Sequence, residues 1–263
     1  MKFVIRDDDL SYFSKPSDVE EWYHSIFAQG IPVGFATIPL VKSVSDVYVK
    51  DVALSDTERP ISGNAELVEY VRHTPYIEVL QHGTTHETKD GVFEYARRVP
   101  LTEVQRGKEE LEKAFGREVS VFVPPHDWIG EYGIRAVEYA GLHIIRGRGA
   151  GLRNWIMRPA YVRNFFKMLW FKWLVKLPSG KTPAYPSVLD FGEHKEVCTY
   201  RLEDADVFEG LEYVRKQDGI FVVVAHVHSF TPEKKERLAR LISVGREYGA
   251  EFVRPSELFS VTS

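Results

Sequence analysis

Tyr76-Ile77-Glu78-Val79-Leu80-Gln81-His82-Gly83-Thr84-Thr85-His86-Glu87 runs a short apolar segment straight into two histidines four residues apart. The apolar part is too short for a helix and has the length of a buried strand. Gly83 and the small Thr84 and Thr85 follow, so the backbone can turn tightly and bring both imidazoles to one spot. Such a pair can hold one metal ion, cap a loop or simply be hydrogen-bonded in place. The surrounding elements decide between these.

Working outward, short apolar runs alternate with longer helical patterns. Strands are expected at Lys2–Arg6, Pro32–Ile38, Ile77–Leu80, Val119–Val123, His143–Arg146, Glu196–Tyr200, Ile220–Ala225 and Glu251–Val253. Helices are expected near 17–29, 65–73, 102–115, 130–140, 206–217 and 232–248. Thr102 with Gln105 fits a capping box, and Gly116 stands where a C-cap glycine belongs. Thr231-Pro232 reads as an N-cap followed by an N1 proline, and Gly249 closes that last helix. Strand–helix alternation along the whole chain argues for an α/β fold with mostly parallel strands. Seven to eight strands in about this length point to a distorted (β/α) barrel, formed by residues 1–263 as one domain.

Composition narrows the function. The 263 residues are 44% hydrophobic and 27% charged, which suits a packed core rather than disorder. A formal net charge of −4 offers no basic surplus for a nucleic acid. Cys198 is the only cysteine, so a cysteine-based zinc site and an internal disulfide are excluded. Its place within an apolar run favours burial over thiol catalysis. The start, MKFVIRDDD, has neither the apolar region of a signal peptide nor an anchor, and no stretch is long and apolar enough for a transmembrane segment. The expected location is cytoplasmic; oligomeric state is not legible.

Two segments resist the pattern. Residues 39–62 carry few helix signals and read as a long loop. Residues 155–177 are aromatic and basic with no acidic residue, as an interfacial helix meeting a membrane or an anionic glycan would be. At 100° per residue, however, the five basic residues do not gather on one polar face, which favours an outer helix or a lid.

Barrel chemistry sits at the carboxyl ends of strands. Here the first strand ends in Arg6-Asp7-Asp8-Asp9, the third in His82 and His86, the fourth in Pro124-Pro125-His126-Asp127-Trp128, and the seventh in His226 and His228. Five of the nine histidines thus lie at three such ends. Three adjacent carboxylates repel one another and call for a cation, and one carboxylate with two histidines leaves positions open for water and substrate.

In this order, D-D after strand one, H-x3-H after strand three, F-x-P-P after strand four and a histidine ending a late strand, the motifs resemble the polysaccharide deacetylase family. That is the NodB-homology domain of carbohydrate esterase family four. The spelling R-x-D-D, HGxxH and PPH is similar to its predicted-deacetylase branch, and the closing G-A-E-F-V-R-P-S-E-L-F resembles the family's last strand and helix. The resemblance implies Asp8 as general base, Asp9, His82 and His86 as metal ligands, and His226 as general acid. His228 or His126 would be the fallback acid. Two departures stand out. Val123 occupies the place of the arginine in the family's third motif, and Asp190 is the one candidate for the aspartate of its fourth.

The expectation is therefore a metal-dependent deacetylase, a hydrolase of linear amide C–N bonds, acting on an N-acetylated sugar or related small amide with metal-bound water as nucleophile. One divalent ion is expected, Zn2+ first, with Co2+, Mn2+, Fe2+ or Ni2+ admissible. Pro125, His126, Trp128, His228 and Asp7 would bind or support the substrate, and backbone N–H groups near Pro125 would help hold the oxyanion. Three other readings are carried beside it. One is a non-catalytic metal- or carbohydrate-binding protein on the same fold, and another is a different metal-dependent C–N hydrolase. The third is a phosphate loop at Gly147-Arg148-Gly149-Ala150-Gly151, which lacks the full GxGxxG pattern. Trp128, Trp155, Trp170 and Trp173 are candidates for stacking on sugar rings.

Overall fold

The pairing of the strands closes on itself. In the computed structural model, which describes residues 1–42, 56–148 and 158–260, seven strands form the ring. They are β1 (Lys2–Leu10), β2 (Val33–Thr37), β3 (Ile77–His82), β4 (Val121–Val123), β5 (His143–Gly147), β6 (Lys195–Arg201) and β7 (Ile220–Ala225). Each pairs in parallel with the next in the cycle β1-β2-β3-β4-β5-β6-β7 and back to β1. The helices α1 (Pro16–Phe27), α2 (Ala65–His73), α3 (Thr102–Phe115), α4 (Glu131–Tyr139), α5 (Pro159–Leu174), α6 (Val207–Lys216) and α7 (Pro232–Glu247) connect them.

Alternation along the strands separates two apolar cores. Val4, Ala36, Leu80, Val121, Val123, Ile145, Val197 and Val222 fill the barrel interior, joined by Val253, Leu258 and Phe259. Phe3, Ile5, Val33, Phe35, Val79, Phe122 and Ile144, on alternate positions, pack outward with the buried side chains of the helices. Glu251–Phe252, expected as an eighth strand, pairs only with Lys2 and Phe3 at the start of β1 and stays outside the ring.

Cap chemistry follows the sequence in part. Thr231 accepts the Lys234 amide ahead of Pro232, and Gly116 takes φ 65 after α3. The expected capping box at Thr102 does not form. Leu101 stands at the N-cap, Thr102 is already helical, and Gln105 bonds Glu109 instead. Within the loop expected over 39–62, Leu40–Val41 and Arg59–Pro60 make a short antiparallel pair, while 43–55 lie outside the described residues. So do Trp155 and most of the glycine-rich stretch 147–151. No helix among the described residues is long and apolar enough to cross a membrane.

Candidate active site

Three adjacent aspartates at the end of β1 meet three different environments. A regular pleat turns alternate side chains to opposite faces. Arg6 and Asp8 line a cavity of about 790 Å3 at the carboxyl end of the barrel. Asp7, between them, points the other way and is fully buried. It accepts the Tyr23 hydroxyl from α1 and the Val227 amide at 3.1 Å. Burial pushes its pKa up to about 8 against those two bonds, and the neighbouring Asp8 and Asp9 add to the shift. Asp7 therefore ties strands and helix together and does not reach the cavity.

The pleat would send Asp9 outward as well. Instead the register of β1 against β2 slips between Asp7 and Leu10, and Asp9 takes φ 73. This is a bulge, with the left-handed conformation that aspartate tolerates better than most residues. Asp8 and Asp9 consequently share one cavity. Four of the six described non-glycine residues with positive φ are Asp9, His86, His126 and Asp127, all lining that cavity. Strained backbone gathers where side chains must be aimed.

His82 is the last residue of β3. Its Nδ1 lies 3.0 Å from the Val123 carbonyl, which can only accept, so Nδ1 carries the proton and Nε2 presents a lone pair. That Nε2 is 3.1 Å from Asp9 Oδ1, and His86 Nε2 is 3.4 Å from the same oxygen. Burial pushes His86 down to about 3, so its ring is neutral near pH 7, as a ligand would have to be. A lone pair of nitrogen facing a carboxylate oxygen at 3.1 Å needs a proton or cation between them. The donor atoms of Asp9, His82 and His86 all lie within 4.8 Å of one another. Donors about 2.0–2.1 Å from a tetrahedral ion sit roughly 3.4 Å apart, so the set fits one divalent ion.

A residue absent from the sequence reasoning shapes the turn between the two histidines. Glu94, 3% exposed, accepts the amides of Thr84, Thr85 and His86 at 3.1, 2.8 and 3.1 Å and the Thr85 hydroxyl at 3.0 Å. Burial raises its pKa in spite of these bonds. Gly83 lies under this carboxylate with φ 60, and a Cβ there would meet Glu94 Oε2 at 2.5 Å and Pro125 Cγ at 2.6 Å. The glycine is thus required by both conformation and space.

The charge opposite Asp8 also comes from an unforeseen direction. Val123 holds the motif position where an arginine was expected, but Arg6 of β1, 1% exposed, reaches the same cavity. Its Nη2 donates to Asp8 Oδ2 at 2.7 Å and lies 3.6 Å from Asp127 Oδ1, while Nη1 donates to the Ile145 carbonyl at 3.2 Å. Asp127 is held by the Gly147 amide at 2.9 Å. Asp8 Oδ1, on the other side of the carboxylate, is buried without a hydrogen-bond partner among the described residues.

His126, His226 and His228 line the cavity as well. His126 stacks on Phe93 at 4.1 Å and leans on His86 at 4.9 Å. His228 Nδ1 is 3.7 Å from Asp9 Oδ2, and its ring lies 5.5 Å from that of His226. Pro125 and Trp128 are not part of the lining; Pro125 packs against Gly83. The amides of Asp127 and Trp128 are spent on the carbonyls of Pro124 and Pro125, so these two do not serve as oxyanion donors. Asp190 stands on the short strand Leu189–Asp190 and bonds the Gly192 amide, away from the cavity.

A closed ring of seven parallel strands, with extra strands outside it, is the NodB-type (β/α) barrel of the CE4 polysaccharide deacetylases. No family model and no curated protein matches the chain. Among solved structures, a Mycobacterium smegmatis protein described as a candidate polysaccharide deacetylase aligns at TM-score 0.55 with 12% identity, over 97% of this chain and 88% of that one. A CE4 family pseudoenzyme from Bacillus anthracis aligns at 0.53 with 12% identity over 98% of this chain, which spans 66% of the pseudoenzyme. A family 4 carbohydrate esterase from Streptomyces lividans, solved with acetate, aligns at 0.50 with 10% identity, over 98% and 95%. At such identities the likeness is one of fold.

Proposed function

We propose that this protein is a metal-dependent hydrolase that removes an acetyl group from an N-acetylated sugar or a related small amide. The observation that carries the reading is the bulge that turns Asp8 and Asp9 into one cavity with His82, His86 and His226. Asp9, His82 and His86 would hold one divalent ion, zinc first. Such an ion, when bound, acidifies water and polarises a carbonyl. Asp8, with Arg6 fixing one oxygen and the other unpartnered, takes the proton of the attacking water. His226 stands on the far strand end to protonate the departing amine, with His228 and His126 beside it. A cavity of about 790 Å3 accommodates a small sugar.

The second reading, a binding protein without turnover, is favoured by one fact: a structure of the same fold is described as a pseudoenzyme. Acetate release over a set of N-acetylated sugars, with metal analysis in parallel, separates the two. Turnover that falls by about 10²–10⁴ in Asp8→Asn with metal content preserved is expected. Sugar binding without acetate release would leave the binding reading standing. Full activity in Asp8→Asn would refute the assignment of the base, and undiminished metal in His82→Ala would remove that ligand.

A further inference from the structure

Helix α5 is inside out. Its buried side, Tyr161, Asn164 and Met168, is narrow, while Val162, Phe166, Leu169, Trp170, Trp173 and Leu174 are 40, 53, 47, 57, 73 and 63% exposed. They make up six of the twelve exposed large apolar side chains among the described residues. Five of them, Val162, Phe166, Leu169, Trp170 and Trp173, fall within about 100° of arc at helical spacing, so they form one outward stripe. A single exposed apolar residue needs no explanation, but a contiguous aromatic stripe does.

The basic residues, which gather on no single polar face, prove to bracket this stripe. Arg163 and Lys167 flank one edge; Lys172 lies beyond the other, and Lys176 follows the helix end on that side. The partners that hold three of them carry no charge. Arg163 donates to the Asp190 carbonyl, Lys167 lies 5.1 Å over the Tyr185 ring, and Lys176 donates to the Lys172 carbonyl and the Thr182 hydroxyl. The helix contains no acidic residue.

We propose that this face of α5 docks on an anionic lipid surface, with Phe166, Trp170 and Trp173 entering the headgroup region and the basic edges meeting lipid phosphates. Tryptophan with an apolar body and a polar N–H, and long cationic side chains reaching outward, are the side chains of such a boundary. Charge decides against a second copy as the occupant. Two α5 helices laid together would oppose basic edges with no carboxylate on either helix, whereas an anionic surface neutralises them. The helix lies in the surface plane and does not cross it. The C-terminal end of α5 is linked to the catalytic end of the barrel. Thr182, which Lys176 bonds, also accepts Arg148 at 3.4 Å, and Arg148 lines a cavity of about 470 Å3 that shares His126 and Asp127 with the site.

Sedimentation of the whole protein with vesicles of phosphatidylglycerol and phosphatidylcholine, against vesicles of phosphatidylcholine alone, tests this. Binding to the anionic vesicles, weakening with salt, is expected. The pair Trp170→Ser and Trp173→Ser should weaken it by roughly ten-fold or more. Lys167→Gln and Lys176→Gln should each cost about five-fold. These side chains are all exposed, and circular dichroism checks that the variants fold. Absence of binding by the wild-type protein overturns the proposal. So does binding that survives the tryptophan substitutions, which would assign it to another surface. A dimer in sedimentation velocity that the same substitutions dissolve, without vesicle binding, would overturn it in favour of a second copy.

Discussion

Glu94→Gln tests whether the turn between His82 and His86 is shaped by a single carboxylate. The wild-type side chain accepts four bonds, two at each oxygen: the Thr85 amide and hydroxyl at Oε1, and the Thr84 and His86 amides at Oε2. Glutamine keeps one acceptor oxygen and turns an NH2 group toward the other pair of donors. Two bonds to a charged acceptor are lost, each worth roughly 1.5–3 kcal/mol in a buried setting. Part is returned, because burial disfavours the wild-type carboxylate and a neutral amide escapes that cost. The net loss should be about 2–4 kcal/mol, with no cavity created. Since the His86 amide is one of the groups released, zinc affinity should fall about 10–100-fold, as for other partners that orient ligands. Urea denaturation of the metal-free protein gives the first quantity and competition with a chromophoric chelator the second. A variant within about 0.5 kcal/mol and two-fold in affinity would refute the reasoning, because it would mean that the turn holds its shape without the carboxylate.

Three further outcomes follow from the same geometry. Asp7→Asn should leave metal content and turnover within about three-fold of wild type, because Asn can accept from Val227 and donate to Tyr23; a loss matching that of Asp8→Asn would place Asp7 in the chemistry after all. Gly83→Ala should destabilise by roughly 2 kcal/mol or more, measured by thermal denaturation, since a Cβ at φ 60 meets Glu94 and Pro125; an unchanged melting temperature would contradict the packing. His194, buried between Glu138 and Glu196 at 3.2 and 3.1 Å, should make stability fall with rising pH. Burial opposes its charge, but the bonds to the two carboxylates prevail and raise its pKa. A raised histidine stabilises fully below its unfolded pKa of about 6.5 and ceases to do so as pH passes the folded value. Denaturation midpoints of wild type should therefore drop more steeply across that window than those of His194→Gln, which keeps the decline due to Asp7; parallel curves would dismiss the ion pair as a stabilising element.

The barrel was legible because strand ends announce themselves: an apolar run that stops at Asp7-Asp8-Asp9, at His82 or at His226 shows where the element ends and which polar side chains gather there. What remained hidden depends on contacts between segments far apart in the chain or on backbone geometry. Nothing local marks Asp9 as a bulge residue, since the slip exists only against β2. Glu94 was hidden because the hairpin of Thr88–Lys89 with Val92–Phe93 brings it back over the turn; its position between Phe93 and Tyr95, a carboxylate in an apolar setting, was the available signal. Thr102 had the right spacing for a capping box, but Leu101 at the N-cap takes helical dihedrals, so the threonine is one residue too late. Arg6 was written in the R-x-D-D spelling yet read as part of the strand, because its partners Asp127 and the Ile145 carbonyl lie more than a hundred residues away.

The three aspartates resolve a difficulty that their adjacency creates. Three ionised carboxylates in one buried turn would repel strongly, so the fold gives each a different means of relief. Asp7 leaves the cavity, bonds a hydroxyl and an amide, and holds its proton near pH 7. Asp8 faces the Arg6 guanidinium, which compensates a buried charge worth about 3–5 kcal/mol if left alone. Asp9 faces His82 and His86, and its hydrogen bond with His82 leads the contacts that outweigh burial and hold its pKa well below the usual carboxylate range. One neutral group, one ion pair and one carboxylate facing two histidines follow from the pleat and a single bulge. This also explains how Val123 can stand where the resembling family has arginine. In a closed ring the interior of β1 faces the cavity directly, so a guanidinium from β1 supplies the same charge from a different strand. What the site requires is a cation beside Asp8, and the barrel offers more than one strand from which to deliver it.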